Sequence, residues 1–170
     1  MPFPDPSIPI ATRAEVLLGY LDYYRSRLAD KLEALPEGEL RSSRLPSGWT
    51  PAALANHLTH VELRWLEWGF EGQEIEYAIR SADRRDERFY VADSVSLDDL
   101  LVALAAQGAR TRAIVQSHDL ADIGQPGLAW EEGPPPPALE RILLHLIQEY
   151  ARHIGQLDVV SELAGGEVGE

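Results

Sequence analysis

Three residues in one stretch of the chain, His145, Glu149 and His153, have the types and the spacing to bind a metal ion. Side chains four residues apart on an α-helix lie one above the other, so each neighbouring pair could share one ion. The spacing allows either His145 with Glu149 or Glu149 with His153. The alternative is an ion pair between a carboxylate and an imidazole, which requires no metal.

His57 supplies an imidazole from a second predicted helix, where it falls within the apolar stripe. A ligand from a separate helix would complete a three-ligand site with an open position, as in catalytic zinc sites. The sequence therefore predicts a catalytic metal centre formed by His57 and one of the two pairs, His145 with Glu149 or Glu149 with His153. The alternative for His57 is a hydrogen-bonded histidine of the core.

Four amphipathic helices are predicted to position these side chains. Apolar residues recur at three- and four-residue spacing, and capping signals such as Thr50 before Pro51 mark helix starts. The predicted helices cover about 11–35, 51–70, 97–118 and 137–163. The pattern predicts an all-α fold, a four-helix bundle, in a single domain that spans 1–170.

The segments outside these helices are predicted from their composition. Residues 1–10 contain four prolines and should form an extended arm. Residues 71–95 are charged and patternless, so we expect a solvated connection with some local helix. The connections between the second and third helices and between the third and fourth are long. They permit a crossover topology as well as a simple up-down bundle.

The composition excludes several classes of function. The 170 residues include no cysteine, which excludes disulfides, thiolate metal sites and a cysteine nucleophile. The net charge of -13 disfavours a nucleic-acid partner. No apolar run is long enough to cross a membrane, and the N-terminal residues lack the features of a signal peptide. We therefore expect a cytoplasmic protein.

Two stretches, PSGWTPAALANHLTHVELRW and LLHLIQEYARHIGQLDVV, together with the final GGEVGE, resemble the DinB-like superfamily of metal-binding four-helix bundles. Within that superfamily the likeness is to the actinobacterial branch associated with mycothiol-dependent enzymes. The resemblance implies that His57, Glu149 and His153 are the metal ligands. Many members have histidine where this chain has Glu149, and others have histidine where Gln156 stands. Histidine with carboxylate suits zinc first, with nickel, manganese or iron as alternatives.

The resemblance also implies transfer or isomerisation reactions that use a low-molecular-weight thiol such as mycothiol. A divalent cation lowers the pKa of a coordinated thiol, so a chain without cysteine could activate a borrowed thiol to attack a small electrophile. Two alternatives stay open. One is a metal-dependent hydrolase with water in the open position, and the other is a non-catalytic binding or stress-associated protein. A homodimer is compatible with the sequence.

Further residues are candidates for binding the thiol or the substrate. Arg152 could meet a carboxylate or form an ion pair at the rim of the site. Asp158 could orient a ligand or bind polar groups, or it could be an exposed helix carboxylate. Trp49 could line the mouth of the site or staple the start of the second helix. Trp130, in a long loop rich in turn residues, could be a lid or simple surface packing.

Overall fold

The computed structural model describes residues 4, 7, 9, 12–127, 129–131 and 133–166, and within them the chain is mainly helical. The helices are α1 (Arg13–Ala34), α2 (Glu37–Leu40), α3 (Pro51–Leu63), α4 (Tyr77–Arg80), α5 (Leu97–Ser117) and α6 (Leu139–Leu163). A π-helical segment, Arg64–Phe70, continues α3, and strands β1 (Arg84–Arg85) and β2 (Arg88–Phe89) pair antiparallel. No helix in this part of the chain is long and apolar enough to span a membrane.

Signals in the sequence set the starts of three long helices. Thr12 and Ser96 form capping boxes at the starts of α1 and α5. The side chain of Thr50 accepts a hydrogen bond from a backbone N–H in the first turn of α3, and Pro51 takes the first helical position. The predicted helix bounds agree with these to about two residues, the usual uncertainty of helix ends. Most of the predicted N-terminal arm and the end of the GGEVGE motif lie outside the described residues.

The four long helices form the predicted four-helix bundle, but chain neighbours are not always spatial neighbours. Helix α1 packs mainly against α5 and α6, and α3 packs against the same two helices. Helices α1 and α3 therefore occupy opposite corners of the bundle, as do α5 and α6. In a simple up-down bundle, helices that follow one another in the chain would be adjacent. The long connections thus produce a crossover topology.

A polar network lies within the apolar core of the bundle. The Glu62 carboxylate on α3 is fully buried and accepts hydrogen bonds from Arg25 on α1, Thr111 on α5 and Tyr150 on α6. Each long helix contributes one member. Because a buried carboxylate is costly unless it is fully paired, this network favours one alignment of the four helices.

Residues 71–95 form a mainly exposed connection with some local helix, as their charge predicts, but two of them are buried. The segment contains α4 and the β1–β2 hairpin, and it contributes to a small second core made of Ala52, Ala53, Val91 and Leu100. Asp83, directly before β1, is fully buried. The sequence does not predict the hairpin or the buried positions, because the inward-facing residues of this segment are single and irregularly spaced and produce no periodic pattern.

Candidate metal centre

His57, Glu149 and His153 converge between α3 and α6. One possible donor atom from each lies within 4.8 Å of the others, so the three could hold one ion. Bonds of about 2 Å to a common ion would require these side chains to move slightly closer together. Both histidines are buried and Glu149 is half-buried. The structure therefore brings together the three residues that the sequence singles out, one from α3 and two from successive turns of α6.

His145 lies on the same side of α6, one turn before Glu149. Its Nε2 is 3.9 Å from one oxygen of Glu149, whereas Nε2 of His153 is 3.5 Å from the other oxygen. The ring of His145 packs edge-on against Trp65, with centroids 4.7 Å apart. His145 therefore forms part of the wall beside the three-residue cluster rather than part of the cluster.

Asp83 fixes the imidazole of His57. Nδ1 of His57 donates a hydrogen bond to Oδ2 of Asp83 at 2.8 Å, which leaves Nε2 as the nitrogen available to a metal. Arg64 donates to both oxygens of the same carboxylate, at 2.6 and 3.0 Å. A carboxylate that binds the second nitrogen of a metal-binding histidine sets its tautomer and ring orientation, and it raises the basicity of the ligand.

Electrostatics keep this pair in the charge states that metal binding needs. Burial alone would raise the pKa of Asp83, but hydrogen bonds from His57 and Arg64 hold that pKa well below its usual range. Burial lowers the pKa of His57, and the nearby Asp83 carboxylate only partly offsets the effect. His57 is therefore neutral at neutral pH, with its proton on the nitrogen that faces Asp83. A neutral imidazole is the form that binds a metal.

Residues of α6 and of the β1–β2 hairpin also restrict the imidazole rings of His153 and His57. Nδ1 of His153 donates a hydrogen bond to Oε1 of Gln156 at 2.8 Å. Phe89 of β2 stacks on His57 with centroids 3.9 Å apart and meets His153 edge-on at 5.5 Å. One aromatic ring thus packs against both imidazoles and limits their rotation.

A pocket of about 430 Å³ adjoins the three candidate ligands. Its surface is mainly polar, and Arg64, Arg84 and Arg152 reach it. Three arginines at one pocket are notable in a chain whose net charge is -13. The pocket has room for a small molecule beside the cluster.

The other residues singled out by the sequence take different positions. Arg152 is exposed and lines the pocket. Asp158 forms an ion pair with Lys31 of α1, and Trp49 packs against the core near the start of α3. Asp158 and Trp49 are not among the described residues that line this pocket.

Asp83 and Phe89 orient the candidate ligands, and sequence reasoning missed both of them. Both lie in the segment predicted to be a solvated connection. A buried histidine that binds a metal through one ring nitrogen needs a hydrogen-bond partner for the other nitrogen. This requirement is the signal in the sequence that could have pointed to a residue such as Asp83. It indicates that a partner exists but not where in the chain it lies.

Comparison with known proteins places this geometry in context. The sequence profile of a family described as Mycothiol-S-transferase matches residues 16–166. A DinB-like protein from Bacillus cereus has a similar structure, with a TM-score of 0.61 and 22% identity over 92% of this chain and 95% of that chain. YfiT from Bacillus subtilis, described as a probable metal-dependent hydrolase with an unusual four-helix bundle topology, gives a TM-score of 0.63 and 15% identity over 96% and 94%. No curated protein matches the sequence.

Proposed function

This chain belongs to the mycothiol-S-transferase family, and on that premise we propose that it joins the sulfur of mycothiol, or of a similar small thiol, to a small electrophile in a metal-dependent reaction. The observation that carries the proposal is the convergence of His57, Glu149 and His153 beside a pocket. Because the chain contains no cysteine, the thiol has to come from outside.

The three residues fit a divalent metal ion. Two imidazoles and a carboxylate would bind through three positions and leave a further position open to a small molecule. Asp83 already holds His57 in the tautomer that such binding needs. Zinc suits this donor set, and nickel, manganese or iron would also be accepted. A divalent ion at this position would lower the pKa of a bound thiol and so favour the thiolate at neutral pH.

Side chains around the pocket would prepare the thiol and the electrophile. Arg84 and Arg152 give the wall positive charge, which favours a thiolate over a thiol and stabilises negative charge that develops on the electrophile. Arg152 has no ion-pair partner among the described residues, so its guanidinium is available to a substrate. Trp65 and His145 close one side of the pocket.

Turnover that requires both a metal and a thiol tests this proposal. Protein purified without chelator should contain close to one divalent ion per chain and should conjugate mycothiol to a small alkyl halide. His57→Ala and Glu149→Gln should lose both the metal and turnover. His60→Ala is the matched control, because His60 is also on α3 but directs Nδ1 to the backbone carbonyl of Asn56.

Two outcomes would replace the proposal with one of its alternatives. Ester or amide cleavage that needs the metal but no thiol would identify a hydrolase. Absence of both metal and turnover in freshly purified protein would favour a non-catalytic binding protein. A homodimer and a cytoplasmic location stay predictions, to be checked by analytical ultracentrifugation and by cell fractionation.

A further inference from the structure

A second pocket, of about 530 Å³, adjoins the metal pocket. The two pockets share Trp65 and His145 as a common wall. The second pocket extends from that wall along the start of α6 and is bounded on its far side by residues 134–137, all of which are proline. Apart from the shared wall, the proposed function makes no use of it.

The wall of this second pocket is mainly apolar and aromatic, and Arg141 and His145 are its polar members. The rings of Trp65 and Trp130 have centroids 6.0 Å apart and are inclined at 47°. Nε1 of Trp130 donates a hydrogen bond to the backbone carbonyl of Gly69 at 2.7 Å, so the polar atom of this indole is already paired. The four prolines carry no backbone N–H groups. Such a wall offers much apolar contact and few hydrogen bonds, which favours a flat, apolar ligand.

We infer that this second pocket holds an aromatic part of the electrophile, while the reactive carbon lies at the shared Trp65–His145 wall and faces the metal pocket. The inference rests on the proposed function, because it names the substrate class of the same site. The substrates would be small electrophiles with an aryl group attached close to the reactive carbon. The two pockets are adjacent, since Trp65 and His145 line both, and this adjacency supports the placement.

Trp130 is the residue that would determine this specificity. It lies in the connection between α5 and α6, outside the three-residue cluster, and it lines the second pocket but not the metal pocket. Trp65 and His145 line both, so changes there would alter the two pockets together. Truncation of Trp130 therefore isolates the contribution of the second pocket.

Three chloroacetamides with the same reactive carbon provide the test: 2-chloroacetamide, 2-chloro-N-phenylacetamide and 2-chloro-N-(1-naphthyl)acetamide, each with mycothiol and the metal-loaded protein. In each reaction the thiol sulfur forms a bond to the CH2 carbon and the C–Cl bond breaks. Chloride leaves with the electron pair, and the thiol proton passes to the buffer. For the wild type, kcat/KM should rise about tenfold or more from the unsubstituted to the phenyl compound, because the ring is buried.

The decisive quantity is the ratio of kcat/KM for the phenyl compound to kcat/KM for 2-chloroacetamide. Trp130→Ala should reduce this ratio about tenfold. Trp130→Leu, which removes the aromatic face but keeps part of the apolar bulk, should also reduce the ratio, though by less, and it replaces the alanine variant if that variant does not fold. Trp68→Ala is the matched control, since Trp68 is on the same π-helical segment as Trp65 but lines neither pocket. The control should keep the wild-type ratio.

The outcomes separate this inference from the proposal beneath it. Thiol-dependent turnover with no preference for the aryl compounds, or a preference that survives in both Trp130 variants, overturns the inference alone. Absence of thiol-dependent turnover with all three compounds overturns the proposed function. The inference that the second pocket binds an aryl electrophile is then overturned as well. Acetanilide, which lacks the chlorine, should compete with the phenyl compound and should do so more weakly in Trp130→Ala.

Discussion

At the scale of single residues, the most informative contact is between Asp83 and His57. Asp83→Asn replaces an ionised acceptor with a neutral amide, which binds the Nδ1 proton less strongly and no longer polarises the imidazole. We expect the dissociation constant for zinc to rise about 10- to 100-fold, the usual effect of losing such a partner. Competition with a chromophoric chelator measures this constant.

The matched control for that substitution is Asp93→Asn. Asp93 is exposed and lies in the same connection between α4 and α5. The control variant should bind zinc like the wild type. Equal affinity in Asp83→Asn and the wild type would show that the hydrogen bond does not tune the candidate ligand.

The pKa of Asp83 predicts how stability changes with pH in metal-free protein. The folded protein holds this pKa below the value of about 3.9 in an unfolded chain. The contribution of Asp83 to the free energy of unfolding is therefore present above that value and is lost as the pH falls toward the folded pKa. The stability difference between the wild type and Asp83→Asn should shrink between about pH 5 and pH 3.

Urea unfolding in the presence of EDTA measures this difference at each pH. A difference that stays constant down to pH 3 would mean that Asp83 does not titrate with the expected sign.

The sequence predicts candidate ligands better than their supporting residues. His57, Glu149 and His153 can be found because helical geometry converts spacing into a shared face. Asp83 lies 26 residues from His57 in the chain and belongs to no periodic element. Its burial depends on how the connection folds over α3, which a local pattern does not encode.

At the scale of elements, the π-helical segment is the feature that distinguishes α3 from an ordinary helix. Such segments are rare and are frequent at functional sites. Gly69 lies within it, and a Cβ there would come within 3.0 Å of the backbone carbonyl oxygen of Arg64 and 3.5 Å of the Trp130 ring. Backbone does not move aside easily, so a side chain at this position would distort the segment.

Gly69→Ala should therefore lower the free energy of unfolding by about 1–3 kcal/mol, the cost of overpacking. It should also change the tryptophan signal in near-UV circular dichroism, because Trp130 binds the Gly69 carbonyl. Gly19→Ala on α1 is the control, since its new Cβ would meet nothing within 4 Å beyond its chain neighbours and its own helix backbone. There alanine should stabilise by about 0.5–1 kcal/mol. A stable Gly69→Ala variant with an unchanged spectrum would contradict this account.

The sequence predicts long helices better than short or irregular elements. Capping residues and apolar periodicity fixed the bounds of the four long helices. The same periodicity cannot separate the π-helical segment from α-helix over seven residues. Helices α2 and α4 have four residues each, and each strand has two, so none of them contains enough positions for a period to emerge.

At the scale of the whole molecule, the network around Glu62 joins all four long helices. Glu62→Gln would remove the buried carboxylate partner of the Arg25 guanidinium. It would leave Arg25 only Asp22, which also pairs with Arg112. We expect the free energy of unfolding to fall by about 3 kcal/mol, as when one partner of a buried ion pair is removed. Urea unfolding followed by far-UV circular dichroism measures it. The control is Glu33→Gln at an exposed position of α1, which should change stability by less than about 0.5 kcal/mol. Equal stability of the two variants would contradict the prediction.

The architecture of the bundle was predictable, but the arrangement of its helices was not. Four apolar stripes require four helices to bury them together, and this much follows from the sequence. Connections that are long enough to reach any corner do not specify which helices become neighbours. Contacts between distant residues carry that information, such as the hydrogen bond from Tyr150 to Glu62 across 88 positions.

The place of Asp83 outside the helices has a consequence for protein engineering. Grafting the facing turns of α3 and α6 onto another scaffold would transfer the three candidate ligands. It would not transfer Asp83, whose hydrogen bond restricts rotation of the His57 ring. A graft of this kind should bind metals more loosely and with less discrimination among them. The smallest transferable unit therefore includes the hairpin connection, although by composition that stretch looks like disposable surface.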